Sequence, residues 1–132
     1  MRLKERMGKG TRGWITYQLI GPNGLIEERK ENLVVANALT IMAKAIMGQS
    51  LIDQVTLLKA SVVLASVGVT YTLAAADTAQ FIATFDETSF NDTLDEASLE
   101  SSADGQFSDI TGLSILKDNT MRLIITWTIQ IA

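Results

Sequence analysis

The chain has 132 residues, with 11 Lys and Arg against 15 Asp and Glu, no cysteine and no histidine. Without cysteine there is no disulfide and no thiolate metal site, and without histidine the Ser/His/Asp and Cys/His nucleophile arrangements are excluded. A hydrophobic content of 47% is too high for a disordered chain, and 132 residues suit one domain with a core of its own.

The net charge of −4 hides an asymmetry. Residues 1–13 hold Arg2, Lys4, Arg6, Lys9 and Arg12 against Glu5 alone, a net +4, so residues 14–132 carry −8. The basic stretch is punctuated by glycine and nearly free of large apolar groups. It reads as a flexible basic arm that orders only against a partner, and its five basic residues are the candidate contacts. Gly8, Gly10 and Gly13 fit the spacing GxGxxG. A dinucleotide fingerprint needs a strand before it and a helix after it, and here a strand follows, so the arm reading is preferred. No apolar run follows the basic start, so no signal peptide is read. The apolar stretch 33–47 is broken by Asn37, Thr40 and Lys44 and is too short to span a membrane.

Residues 14–20 and 25–30 are rich in β-formers and flank Gly21-Pro22-Asn23-Gly24. Proline presets φ for a turn, and asparagine and glycine tolerate left-handed geometry after it, so the segment predicts a hairpin. The charge run Glu27, Glu28, Arg29, Lys30, Glu31 reads as a solvated strand that discourages edge pairing. The period then changes. Val35, Leu39, Met42 and Ile46 follow helical spacing, flanked by Val34, Ala38, Ile41 and Ala45, and Gly48 suits the position after a helix end. A helix is predicted over about 36–47.

Strands are predicted over 54–60 and 62–73, the second with Val63, Ala65, Val67, Val69, Tyr71 and Leu73 on one face and Gly68 marking a bulge or close contact. Another covers 80–85, aligning Phe81, Ala83 and Phe85. Residues 86–109 hold eight carboxylates and no lysine or arginine. They read as solvated loops around one short strand. A calcium site and a pair of glycosidase carboxylates are the alternatives, neither with a defining spacing. Asn91-Asp92-Thr93 matches a glycosylation sequon. Residues 112–120 predict a strand and a tight turn that form a hairpin with the last strand, 121–131. There Met121, Leu123, Ile125, Trp127, Ile129 and Ile131 make an apolar face, and the intervening positions are mostly polar.

The expected fold is mainly β, an antiparallel β-sandwich-like domain over 14–132 with one short helix. Its expected core includes Ile15, Tyr17, Leu19, Leu39, Met42, Ile46, Phe81, Phe85, Leu123, Ile125, Trp127 and Ile129. Walker, GxSxG, HExxH and zinc-ligand spacings are all missing, so no catalytic residue, cofactor or metal ligand is assigned and enzyme activity is not expected. The acidic body leaves only the arm to meet phosphate, without reading nucleic-acid sequence.

The order of four motifs resembles small virion structural proteins of tailed bacteriophages, often labelled tail-fibre proteins. The motifs are the opening TRGWITYQLIGPNGLIEERKENLVV, the helix ANALTIMAKAIMG, the segment FIATFDETSFNDTLDEASLES and the closing DNTMRLIITWTIQI. The third is similar to an aromatic ATF strand followed by an acidic turn and an EAGLF-like strand. The fourth is similar to a TLTITWTI-like ending. The chain departs from the family pattern where LLKASVVLASVGVTYTLAAADT replaces a glycine- and threonine-rich ALGTGTTAP-like stretch. The resemblance implies a structural subunit of the virion, located in the particle, that decorates or cements the head or sits at the neck or tail. Its partners would be other virion proteins. Surplus apolar surface, with Ile124 on the polar face of the last strand and a wide apolar arc on the helix, predicts a homo-oligomer, with a trimer the first expectation. The alternative is a receptor- or carbohydrate-binding module of a tail fibre, for which Phe90 and Phe107 would be the aromatic platform. The resemblance implies no catalytic residues.

Overall fold

Two 11-residue strands, β1 (Thr11–Gly21) and β2 (Gly24–Val34), open the fold as an antiparallel hairpin in which Gly21 faces Gly24 across Pro22 and Asn23. The left-handed position falls on Gly24, at φ +110°, and not on Asn23. Proline supplies the first turn dihedral and glycine absorbs the positive φ that a side chain resists. The computed structural model describes residues 11–34, 38–49 and 51–131. Strand β1 begins at Thr11, so Arg12 and Gly13 belong to the sheet and not to an arm.

Helix α1 (Ala38–Ile46) ends in a Schellman motif, with Gln49 N–H donating to Lys44 O at 2.8 Å and Gly48 N–H to Ala45 O at 3.0 Å. Gly48 takes φ +73°, as its place just past the helix requires. Ile41 is fully buried and Met42 packs partly on the core, but Ile46 is 88% exposed. The wide apolar stripe is therefore not all core. Among the described side chains, Ile41 and in part Met42 reach the interior, and Ile46 points its side chain into water. Leu39, also expected in the core, lies outside the residues whose side chains are described.

Nine further strands follow: β3 (Gln54–Lys59), β4 (Val62–Gly68), β5 (Thr70–Ala75), β6 (Thr78–Phe85), β7 (Asp92–Leu94), β8 (Glu96–Ser101), β9 (Gly105–Ile110), β10 (Ile115–Lys117) and β11 (Arg122–Ile131). Nine of the eleven strands form one antiparallel sheet in the order β4-β3-β8-β9-β2-β1-β11-β6-β5, and β7 pairs with β10 separately. Strand β2 holds the two halves together. It pairs with β1 along most of its length, then Leu33 and Val34 pair with Asp109 and Ser108 of β9. At the other side the sheet's two end strands are consecutive in the chain. Only Val69 separates β4 from β5, and its N–H is held by Asp53 O at 3.0 Å. The outcome is a mainly β, antiparallel, sandwich-like fold, with β4, β3, β8 and β9 on one side and β2, β1, β11, β6 and β5 on the other.

The core is built from alternate residues of these strands, as a period of two demands. Ile15, Tyr17 and Leu19 of β1, Phe81, Ala83 and Phe85 of β6, and Leu123, Ile125, Trp127 and Ile129 of β11 meet Val55, Leu57, Ala97, Leu99, Phe107 and Ile110 from the opposite side. Ile15, Trp127 and Phe81 lie across one another on three neighbouring strands. Burying each large side chain contributes about 1.5–3 kcal/mol before entropy is counted.

Three expectations are corrected. The acidic stretch 86–109 is not one short strand among loops but holds β7, β8 and β9, because Ala97, Leu99, Phe107 and Ile110 supply the inward-facing positions between the acids. The predicted strand 62–73 is broken at Val69, so β4 pairs with β3 and β5 with β6. Strand β10 pairs with β7 and makes no hairpin with β11. The β3–β4 turn had no sequence signal. Its central residues are Ala60 and Ser61, at φ 48° and 65°, where glycine or asparagine is usual. Two side chains in this region cost roughly 1–2 kcal/mol each. The Ala60 N–H donates to Asp95 Oδ2 at 3.0 Å, which helps to hold the turn.

Candidate functional site

Of the five basic residues expected to contact a partner, Arg2, Lys4, Arg6 and Lys9 lie outside the described residues, as do Gly8 and Gly10. Arg12 is exposed near the start of β1, opposite Gln130, with its guanidinium 5.7 Å from the Trp14 ring centroid. Arg29 of β2 lies on the same ring at 4.5 Å. Beside it, Gln18 donates to Glu27 at 2.7 Å and Tyr17 donates to Glu28 at 2.5 Å. Burial, then the Glu28 carboxylate, push the Tyr17 hydroxyl up to about 12. From Glu27 to Lys30 the charge run of β2 is thus exposed, with Glu27, Glu28 and Arg29 held by side chains of β1.

The acidic region divides into two environments. On β8 and β9, Glu96, Ser98 and Glu100 share a face, and Asp109 sits opposite Ser98 in register. Glu100 is held by Gln54 and Thr56 of β3, both at 2.7 Å. Glu96 is pushed up to about 7, first by its hydrogen bond with Asp109, then by burial and by the charges of Asp109, Asp95 and Glu100. The pair retains a proton at pH values where an isolated glutamate has lost it. Among the described residues no group of three or more Asp or Glu side chains is gathered so that it could hold a metal ion.

This arrangement has a definite pH signature. The unfolded chain releases the Glu96 proton near its ordinary 4.5, and the native pair releases it near 7. The native state therefore binds more protons across that window, and stability falls as pH rises through it. Glu96→Gln keeps a hydrogen-bond donor to Asp109 and removes the titration. Midpoints of thermal unfolding between pH 4.5 and 7 should decline with pH in the wild type and lose most of that slope in the variant. An unchanged slope would place the proton elsewhere.

At the other end of the acidic region a cation is enclosed. Lys117 of β10 is fully buried, and its Nζ donates to Glu87 O and Phe90 O at 3.0 Å and to Asp118 O at 3.2 Å. An ammonium has three N–H donors, and three carbonyls take them. The Phe90 ring lies 5.0 Å from Nζ. Burial lowers the Lys117 pKa, against the raising effect of Asp86, Glu87 and Asp118. Lys117 thereby ties the 86–90 loop to β10. The sequence reading placed it in the tight turn 117–120, and the signal that was available is the period-two spacing that sets Lys117 in line with Leu113 and Ile115, all three buried.

An apolar cleft of about 430 Å³ opens among α1, β5, β6, β9 and β11. Phe107, Ile129 and Phe81 form its floor, Met42 and Ile52 one wall, and Leu73 with Asp77 and Thr78 the rim. Large apolar side chains are also exposed at the first hairpin (Ile20, Leu25 and Ile26), at and after the end of α1 (Ile46, Met47 and Leu51), on β4 (Val62 and Val63), on β5 (Tyr71 and Leu73) and at Leu116 of β10. Phe90 and Phe107, expected to offer an aromatic platform, are 8% and 1% exposed and are part of the core.

No protein-family model, no curated protein and no solved structure matches the chain. No helix among the described residues is long and apolar enough to cross a membrane.

Proposed function

We propose that this chain is a non-enzymatic structural subunit of a tailed bacteriophage particle, an accessory protein that decorates or cements the head or sits at the neck or tail. The reading is supported by the order of the four resembling motifs. The observation that carries it in the structure is the exposed apolar surface: Leu25, Ile26, Ile46, Met47, Leu51, Tyr71 and Leu73 are each more than half exposed. Clustered exposed apolar residues are characteristic of contact surfaces, and closed symmetry is the common way to cover them with further copies. In this reading the basic residues Arg2, Lys4, Arg6, Lys9 and Arg12 steer the chain to an acidic neighbour in the virion. The alternative, a carbohydrate- or receptor-binding module, loses Phe90 and Phe107 as its platform.

The steering role has a direct test. Charge attraction between a basic segment and an acidic surface speeds association and weakens with salt, over a screening length of about 8 Å at physiological ionic strength. A variant with Arg2, Lys4, Arg6 and Lys9 all changed to Gln should fold as the wild type does but associate with particles at least tenfold more slowly at low salt. Equal association rates, with no salt dependence in either protein, would remove the basic segment from the mechanism.

A further inference from the structure

The outer face of β8 and β9 holds a buried oxygen without a partner. Ser98 is fully buried, and among the described residues its Oγ makes no hydrogen bond. Its neighbours show why. Thr56 of β3 stands opposite Ser98, but the Thr56 hydroxyl donates to Glu100 at 2.7 Å and lies 2.8 Å from Ser66 Oγ. On the other flank Asp109 of β9 stands opposite Ser98, and its carboxyl is hydrogen-bonded to Glu96. Glu96, Ser98 and Glu100 alternate on one face of β8, so the Ser98 hydroxyl is directed between two glutamates and beside Asp109. Buried polar groups are almost always satisfied, and one that is not calls for a ligand.

The charges around this hydroxyl are unbalanced. Asp109, Asp95 and Glu100 all act on Glu96 with the same sign. Residues 86–109 contain no lysine or arginine, and the ion pairs described for the acidic region belong to Glu87, Asp92 and Asp104. Strand β3 sets Thr56 and Leu58 opposite Ser98 and Glu96, and β2 sets Leu33 opposite Asp109. Among the described residues no cation therefore meets the Glu96–Asp109 pair from either side. Glu100 is engaged by Gln54 and Thr56, whereas Asp109 has, besides Glu96, a long contact of 3.5 Å from Gln106.

Two carboxylates on adjacent strands and a hydroxyl between them are hard oxygen donors. Calcium accepts such donors in irregular geometry and completes its shell with water, whereas magnesium demands a near-ideal octahedron. No third carboxylate among the described residues gathers with the pair, so water supplies the larger share of the shell. Binding then belongs to the weak class, with a dissociation constant of about 10⁻⁴–10⁻³ M.

We propose that Glu96, Asp109 and Ser98 form a weak calcium site on the outer face of β8 and β9. The ion bridges the two carboxylates, gives the Ser98 oxygen a partner and clips the strands together beside the irregularity in their pairing at Leu99 and Glu100. The site is a property of the isolated chain and does not rest on the virion reading.

The experiment follows thermal unfolding of the full chain at about pH 8, above the range in which the pair keeps its proton, in calcium chloride and in sodium chloride of equal ionic strength. Calcium at roughly ten times its dissociation constant should raise the midpoint by about 5 °C over sodium. Glu96→Gln and Ser98→Ala should each abolish that rise. Ser98→Ala removes an unmet hydroxyl, so its midpoint in sodium should equal or exceed that of the wild type, which separates loss of a ligand from loss of the fold. Equal wild-type midpoints in the two salts would overturn the proposal, and so would a calcium response retained in either variant.

Discussion

Lys117→Met should lower the stability of this protein by about 3 kcal/mol or more, because it leaves backbone acceptors stranded. The methionine keeps the length and most of the aliphatic stem of the lysine, so packing changes little. What is lost is the ammonium that satisfies Glu87 O, Phe90 O and Asp118 O. Hydrogen bonds from a charged group are worth about 1.5–3 kcal/mol each, and a buried acceptor left without a donor costs about 1–3 kcal/mol. The relief of a desolvated charge offsets part of this sum. The 86–90 loop would be the first segment released, and with it the Phe85–Phe90 edge-to-face contact at 6.2 Å. Arg122, which bonds Glu87 at 3.1 Å from the last strand, would be released too. Chemical denaturation should show the fall in midpoint, and a loss under 1 kcal/mol would mean that water replaces the ammonium without penalty.

Trp127→Ala should cost about 3–5 kcal/mol, the range for removing a large aromatic from a packed core. Trp127 is fully buried in β11, between Ile15 of β1 and Phe81 of β6, so no surface residue can collapse into the space. The indole also has an unusual feature. Among the described residues its Nε1–H has no hydrogen-bond partner. A buried donor without an acceptor costs about 1–3 kcal/mol, so the tryptophan is kept for its volume at the expense of an unmet polar group. Trp127→Phe removes that donor while keeping most of the ring, and should cost less than half as much as the alanine change. If phenylalanine proves as damaging as alanine, the indole nitrogen has an acceptor in solution.

These two residues illustrate what the sequence reveals and what it conceals. Trp127 was legible, because the strict alternation from Leu123 to Ile129 has one interpretation, a half-buried strand. The first hairpin was equally plain from Gly21-Pro22-Asn23-Gly24, and the helix end from Gly48. Lys117 was hidden, since a lysine beside Asp118 and Asn119 resembles a turn, and only three carbonyls brought together by tertiary structure make its burial favourable. The same holds for β8 and β9. Their outward acids dominate the composition, and the inward Ala97, Leu99, Phe107 and Ile110 are too few in each short strand to stand out. The β3–β4 turn escaped because Ala60 and Ser61 adopt left-handed geometry with no glycine or asparagine to announce it. On the helix, the apolar stripe of α1 was expected in the core. The structure divides it, with Ile41 inside and Ile46 outside. The cleft was not anticipated at all, since its walls come from α1, β5, β6, β9 and β11 and no contiguous stretch encodes it.

The proposed role as a virion subunit is the broadest claim made for this chain. Its most direct measurement is the protein content of purified phage particles from a host that carries this gene on an infecting genome, quantified by mass spectrometry against the major shell protein. A structural subunit should remain with the particles through a density gradient at a constant, integral number of copies per particle. Particles that lack the chain, with the protein recovered only in the soluble lysate, would contradict the account.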